Sequence, residues 1–382
     1  MKIITRYIVN EVSFSTIIGF IIFTFFLIMN SLFVLSDLFV KYGVDIVKIL
    51  KLLFLLLPST VAITVPMAFL VGVLLTYSRL VQDNEYIAMQ TSGINIFKIT
   101  KPAIYLSIFI MFIMILFNNY VLPAANFSYK KLYYEIVKKR ATILIQEHAF
   151  IDDFDNYIFY IGDKDSKSDL LKNIIVFVKS DVTEKNPPKL ILAKNGEIMT
   201  DENTLRIALK LNNGIIQIGS YLTPTKMNQV FFNTNIIDLD IKGVLRKNQN
   251  PNELKGTREM TAEELILEIK KRDKSKHDKN WLYIELYKKF SIPFAAVAFA
   301  IIGLPLGLLT KKGGRIAAIS FSIVLIFIYY VFLSFGQYYG YEGKMNHFFA
   351  VWMPNFFMLI AGFILFIILL FPYIKIKFRK PK

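Results

Sequence analysis

The chain has 382 residues, 54% of them hydrophobic, no cysteine, and a formal net charge of +16. Soluble domains contain roughly 45–50% apolar residues, so this composition, with a mean hydropathy of +0.47, excludes an ordinary soluble protein. The missing thiols exclude a disulfide framework and a thiolate metal site, and His148, His277 and His347 are too scattered to form a ligand set.

In chain order, six stretches reach the length of about 20 apolar residues that a bilayer span requires: 12–36, 49–77, 99–122, 283–309, 315–338 and 350–372. The first has no charge from Val12 to Leu35. It is too long for the apolar core of a signal peptide, and no small-residue cleavage site follows, so it reads as a permanent span. Pro58 and Pro66 fall in the second span, and Pro293 and Pro305 in the fourth. Kinks are expected there, with neighbouring helices satisfying the freed carbonyls.

Short-loop lysines and arginines set the expected orientation. Lys2, Arg6, Arg79, Lys98, Lys101, Lys311, Lys312, Arg315 and the basic tail from Lys375 fall on one side, against Lys41, Lys48, Lys51 and Lys344 on the other. Both termini are therefore expected in the cytoplasm. The long segment between spans three and four is then expected in the periplasm. Between Ala141 and Trp281 there are 21 basic and 21 acidic residues, so the whole positive excess lies near the membrane. That suits an anionic lipid surface. A nucleic-acid-binding protein would carry its excess in the soluble domain.

The segment between the membrane halves reads as β. Runs such as YIFYIG (157–162), NIIVFVKS (173–180), LILAKNGEIM (190–199), LRIALKLNNGIIQIG (205–219) and VFFNTNIIDLDI (230–241) alternate with Asn, Gly, Asp and Pro punctuation. A sandwich, jelly roll or open barrel would follow from such spacing. Thr261 and Glu264 have capping-box spacing at the start of a helix. The expected organisation is residues 1–125 with spans one to three and a cytoplasmic helix near 83–92. Residues 126–280 follow as an all-β domain with a connecting helix near 261–278, and 281–382 hold spans four to six and the basic tail.

No phosphate-binding loop, HExxH or GxSxG motif occurs, and no catalytic constellation stands out. The ionisable residues of the spans lie near their ends, which argues against a proton-driven carrier. The short loop 78–103 is the most informative segment. From Asp83 to Thr91 it has helical character, with Asp83 and Glu85 beside Tyr86, Ile87 and Met89, and Gly93 placed to cap its C-terminus. Such a helix either docks a separate cytoplasmic motor or lies on the membrane surface. Surface helices favour Lys and Arg on their polar face, so the acidic pair favours docking.

The run PMAFLVGVLLTYSRLVQDNEYIAMQTSGIN (66–95) resembles the LptF/LptG, or YjgP/YjgQ, family of lipopolysaccharide-export permeases. RYIVNE (6–11), ELYKKFSIPFAAVAFAIIGLPLG (285–307) and the KKGGR loop (311–315) extend the resemblance over nearly the whole chain. It implies an α-helical membrane protein of three plus three helices with an inserted periplasmic β-jellyroll-like domain. It further implies a non-catalytic permease of the inner membrane, with ATP bound by a partner rather than by this chain. The implied partners are a cytoplasmic ABC ATPase dimer (LptB-like), a second related permease (LptF or LptG), a periplasmic jellyroll protein (LptC/LptA-like) and lipopolysaccharide. Glu85 matches the acidic residue of the family's coupling helix, with Asp83, Tyr86, Met89 and Gly93 around it. Lys41, Lys288 and Lys289, and more weakly Lys131 and Arg140, fall where cations would meet lipid phosphates at the periplasmic rim. The competing reading is a membrane scaffold or mechanotransmitting subunit whose periplasmic domain binds a partner without moving lipid.

Overall fold

The computed structural model describes residues 2–40, 44–144, 148, 150–154, 157–164, 170–178, 189–201, 206–219, 227–238, 255–271, 276–310 and 314–377. Six helical segments are long and apolar enough to cross a bilayer: Ile3–Val40, Ile46–Gln82, Ile96–Ile136, Lys279–Leu309, Gly314–Tyr341 and His347–Leu370. They belong to α1 (Lys2–Val40), α2 (Ile46–Gln82), α4 (Ile96–Leu116) continued by α5 (Leu122–Leu144), α7 (Lys276–Leu309), α8 (Gly314–Tyr341) and α9 (His347–Lys377). The short α3 (Glu85–Thr91) lies between the second and third spans, and α6 (Ala262–Lys271) precedes α7. Each helix overruns its apolar window, because the backbone ladder continues wherever no proline or glycine stops it. The third span does so most. It passes through one π-helical turn, Phe117–Val121, and runs on as α5 through the polar sequence NFSYKKLYYEIVKKR.

Contacts divide the chain into two compact units: Met1–Ser36 with Leu53–Asn126 and Thr257–Lys382, and Asp37–Leu52 with Phe127–Gly256. In the first, one apolar cluster joins Ile8 and Val12 of α1, Tyr77 and Leu80 of α2, Ile99 of α4, and Leu304 and Leu308 of α7. A second joins Leu70 and Leu74 of α2 to Phe299 of α7, Tyr329 of α8, and Val351 and Met358 of α9. Lipid is as apolar as leucine, so close approach and interhelical hydrogen bonds must hold such helices together. Gly336 lies directly on the backbone of Ala350, and Gly362 on that of Ile301 and Ile302. The fully buried Asn355 Nδ2 donates to Ser291 O at 3.0 Å and to its Oγ at 2.8 Å, while Asn355 Oδ1 accepts from Tyr329 at 3.3 Å. One amide thus ties α7, α8 and α9. Between α1 and α2, Gly72 makes room for Thr16, and the Thr24 and Thr64 hydroxyls meet at 3.2 Å.

The connecting helix expected near 261–278 is described as α6 over its first part. Its capping box forms as the spacing predicts: Thr261 N donates to Glu264 Oε2 at 2.8 Å, and Glu264 N to Thr261 Oγ1 at 3.2 Å. Of that expectation α6 covers Ala262–Lys271 and residues 276–278 belong to α7, while 272–275 lie outside the described residues. Met260 and Leu265 pack on Leu282 of α7, which makes α6 part of the membrane unit.

The second unit holds an antiparallel sheet of β1 (Phe150–Phe154), β2 (Tyr157–Lys164), β3 (Leu170–Val178), β4 (Lys189–Asp201), β5 (Arg206–Gly219) and β6 (Met227–Asp238), neighbours in sequence order. This is the inserted β region that the sequence leads one to expect; β1 alone was not singled out there. Residues 179–180, 205 and 239–241 of the expected strands lie outside the described residues. Alternate residues are buried, as in Phe159 and Ile161, Ile174 and Val176, Ile191 and Ala193, or Leu209 and Leu211. The buried face slips by one residue at Asn173, passing from Leu171 to Ile174. Asn173 and Asn213 both have positive φ, 56° and 54°, and the ladders of β3, β4 and β5 skip a pair at this line. Asparagine tolerates that left-handed conformation, so the sheet changes course across adjacent strands there.

Candidate functional site

At the end of the membrane unit where α1 begins and α2 ends, the chain reverses through Asp83 and Asn84. Asn84 has φ 58° and sends the chain sharply into α3. α3 ends as a Schellman motif: Ile94 N donates to Met89 O at 3.0 Å, Gly93 N to Gln90 O at 2.9 Å, and Gly93 has φ +78°. Glu85, in the first turn, is half-buried. Its carboxylate oxygens accept from the Tyr7 hydroxyl at 2.8 and 3.1 Å. That hydroxyl in turn accepts from Arg79 Nη2 at 2.6 Å, and Arg79 Nη1 meets Glu11 Oε1 at 2.8 Å. Three elements therefore converge on one carboxylate.

Toward the other end of α7, a cavity of about 300 Å³ opens among α2, the π-turn, α7, α8 and the segment before α6. Glu285 is almost fully buried in its wall. One oxygen, Oε1, accepts from Lys288 Nζ at 2.9 Å, Arg258 Nε at 3.3 Å and the Tyr341 hydroxyl at 3.4 Å. Lys289 Nζ donates to the main-chain oxygen of Asn118, in the π-turn, at 3.0 Å. Two more asparagines of the same helical path hold the segment that carries Arg258. Asn119 Oδ1 accepts from Ala262 N at 2.8 Å, and Asn126 Nδ2 donates to Arg258 O at 3.2 Å. Arg258, Lys288 and Lys289 thus face the cavity, with Glu285 as the carboxylate in its described lining and Glu264 also acting on Lys289. In the other unit, a groove of about 620 Å³ lies along the sheet irregularity, lined by Tyr160, Ile174, Ile215, Phe232 and the positive-φ asparagines Asn173 and Asn213.

The structure gathers Asp83, Glu85, Tyr86, Met89 and Gly93 on one short element, but not on one surface. Tyr86 is buried and Met89 packs on the apolar cluster below, so these two seat the helix rather than offer it to a partner. Their spacing of three puts both on the inner face. α3 presents Ile87, Ala88 and Thr91 outward, with the edge of the half-buried Glu85 beside them. Lys288 and Lys289 line the same cavity, and Lys131 is exposed on α5. Lys41 and the side chain of Arg140 lie outside the described residues. Sequence reasoning missed Tyr7, Glu11 and Arg79, and likewise Arg258, Glu285 and Asn118. One signal was present: Tyr7 and Glu11, and Arg79 and Asp83, each stand four apart on one helix face at a span end.

Six membrane-crossing helices, a cationic cavity among them and an antiparallel sheet inserted between their halves define a multi-pass membrane protein of the permease type. The chain belongs to the lipopolysaccharide export system permease LptF/LptG family, whose sequence profile matches residues 6–368. An uncharacterised protein of Rickettsia prowazekii (strain Madrid E) is 25% identical over 210 residues, which cover 55% of this chain and 56% of that relative. The chain therefore aligns with little more than half of that relative's length.

Proposed function

We propose that this chain is a permease subunit of an ABC transporter complex that extracts lipopolysaccharide from the inner membrane and passes it to a periplasmic bridge. The observation that carries this reading is the cavity of Arg258, Lys288 and Lys289 around one carboxylate. Glu285 neutralises one positive charge and Glu264 also attracts Lys289, so the three cations leave a smaller positive excess in a bundle otherwise built from apolar helices. Such an excess is unfavourable without an anion and suits the phosphates of a lipid A headgroup, held by charge-assisted contacts. Lys41, Lys131 and Arg140 are proposed as further phosphate contacts at the rim. The sheet groove suits a path for acyl chains, with a sheet edge free to pair with a periplasmic jellyroll by strand addition. α3, with Glu85, is proposed to dock a cytoplasmic ATPase dimer that binds the ATP, beside a second permease of the same family. Both termini then lie in the cytoplasm and the sheet in the periplasm.

The test is purification of the tagged chain from native membranes in mild detergent. An ABC ATPase, a second six-span permease and lipopolysaccharide are expected with it. Glu85→Lys should lose the ATPase. The double change Lys288→Ala, Lys289→Ala should keep the ATPase but retain at least about tenfold less lipid, since each lost charged hydrogen bond costs roughly 1.5–3 kcal/mol. Recovery of the ATPase with no lipid would favour a mechanotransmitting subunit, and absence of the ATPase would overturn the reading.

A further inference from the structure

We propose that Tyr7 is a positioning residue that couples the docking helix to α1, so that α3 and the start of α1 move as one body. The inference rests on the reading of α3 as the docking element and goes beyond it. Glu85 meets its donor on α1, not on α2 or α4: the Tyr7 hydroxyl spans both carboxylate oxygens. The same hydroxyl accepts from Arg79 at 2.6 Å, so it is charge-assisted on both sides. One turn further along α1, Glu11 holds the other end of that guanidinium at 2.8 Å. α1 therefore grips the end of α2 and the start of α3 through two residues of one face.

The rest of α1 makes this grip consequential. Only 6% of the residues in its apolar window are buried, and Phe14, Ile21, Phe25 and Phe33 are exposed. Its attachment within the first unit runs along one edge, through Ile8, Val12, the small-residue contacts at Gly72 and Gly19 and the Thr24–Thr64 hydrogen bond. A helix held so narrowly follows whatever holds its end. Force applied to α3 reaches α1 through the Tyr7 hydroxyl and through the apolar cluster that Tyr86 shares with Ile8, while Asp83 and Asn84 form a turn rather than a continuation of α2. Tyr7→Phe would keep the ring in place and remove the bridging hydroxyl, both the donor to Glu85 and the acceptor from Arg79.

The chain has no cysteine, so spin labels can be placed at Ile3→Cys, 83% exposed at the start of α1, and at Ser92→Cys, just past α3. In the complete complex with its ATPase, reconstituted in lipid, the label distance should stay narrow and unchanged through ATP hydrolysis. Tyr7→Phe should retain the ATPase, broaden that distance and lower lipid released per ATP hydrolysed severalfold; Glu11→Gln should act in the same direction, more weakly. An unchanged lipid-to-ATP ratio in Tyr7→Phe overturns the proposal, and so does loss of the ATPase from that variant. Glu85→Lys separates the two readings. If it keeps the ATPase, the docking reading falls and takes this inference with it. If it loses the ATPase while Tyr7→Phe matches the unmodified chain, only the coupling is wrong.

Discussion

Glu285 illustrates how a carboxylate survives burial within a membrane helix. Its Oε1 collects donors from Lys288, Arg258 and Tyr341, which reach it from the same helix, from the segment before α6 and from the end of α8. Removing one partner of a buried charge set strands the others, at a cost of about 3–5 kcal/mol. Glu285→Ala is therefore expected to lower the unfolding free energy in mixed detergent–SDS micelles by about that much. Lys288→Ala leaves two donors on the carboxylate and should cost less, about 1.5–3 kcal/mol, the value of one charged hydrogen bond. Equal losses in the two variants would show that the cluster is not organised around the acid. In the sequence, the adjacent lysines were visible as candidate phosphate contacts, but their difference was not. Lys288 is engaged by a carboxylate three residues before it, whereas Lys289 reaches a carbonyl 171 residues away. Nothing local announces such a partner.

Elements were legible where a local rule governs them. Gly93 stops α3 in the left-handed conformation that glycine adopts freely, and no atom lies within 4 Å of a Cβ built there. Gly93→Ala thus meets conformational strain without a clash, about 1 kcal/mol. Hydrogen exchange at Gln90–Ser92 is expected to speed up about fivefold, while Gly93→Asn, whose side chain tolerates this conformation, should change it less. Equal protection in all three proteins would mean that packing of Tyr86 and Met89, not the cap, terminates the helix. The start of α3 was misplaced by two residues, because Asn84 takes a left-handed turn that composition does not reveal. The π-turn at Phe117–Val121 was invisible for a related reason. One i→i+5 bond, Leu122 N to Phe117 O, leaves no hydrophobic signature, and the apolar window ends there while the backbone ladder continues. The capping box at Thr261 was legible because both of its hydrogen bonds lie within four residues.

At the scale of the whole molecule, hydrophobic length and charge placement carried most of the architecture. Six apolar windows and one neutral, β-rich insert are properties of the chain's composition along its length, and tertiary contacts do not alter them. The tertiary convergence on Glu85 and Glu285 is different in kind, since it joins residues from separate spans. Orientation belongs with the first group, because lysines and arginines in short loops are retained in the cytoplasm, and it can be checked on a chain without natural thiols. Single cysteines at Gln229 in β6, at Lys344 in the turn between α8 and α9, and at Ile87 in α3 all occupy exposed positions. Gln229→Cys and Lys344→Cys should react with a membrane-impermeant maleimide in cells whose outer membrane alone is opened. Ile87→Cys should react only after the inner membrane is breached. Labelling of Ile87→Cys from outside would invert the topology and place α3 where no ATPase could reach it. The cationic cavity would then need a ligand from the cytoplasmic leaflet. The expected pattern instead puts the acid proposed to face a motor and the cations proposed to face phosphate at opposite ends of the same bundle, as the proposed extraction of lipid, driven from one side and loaded from the other, requires.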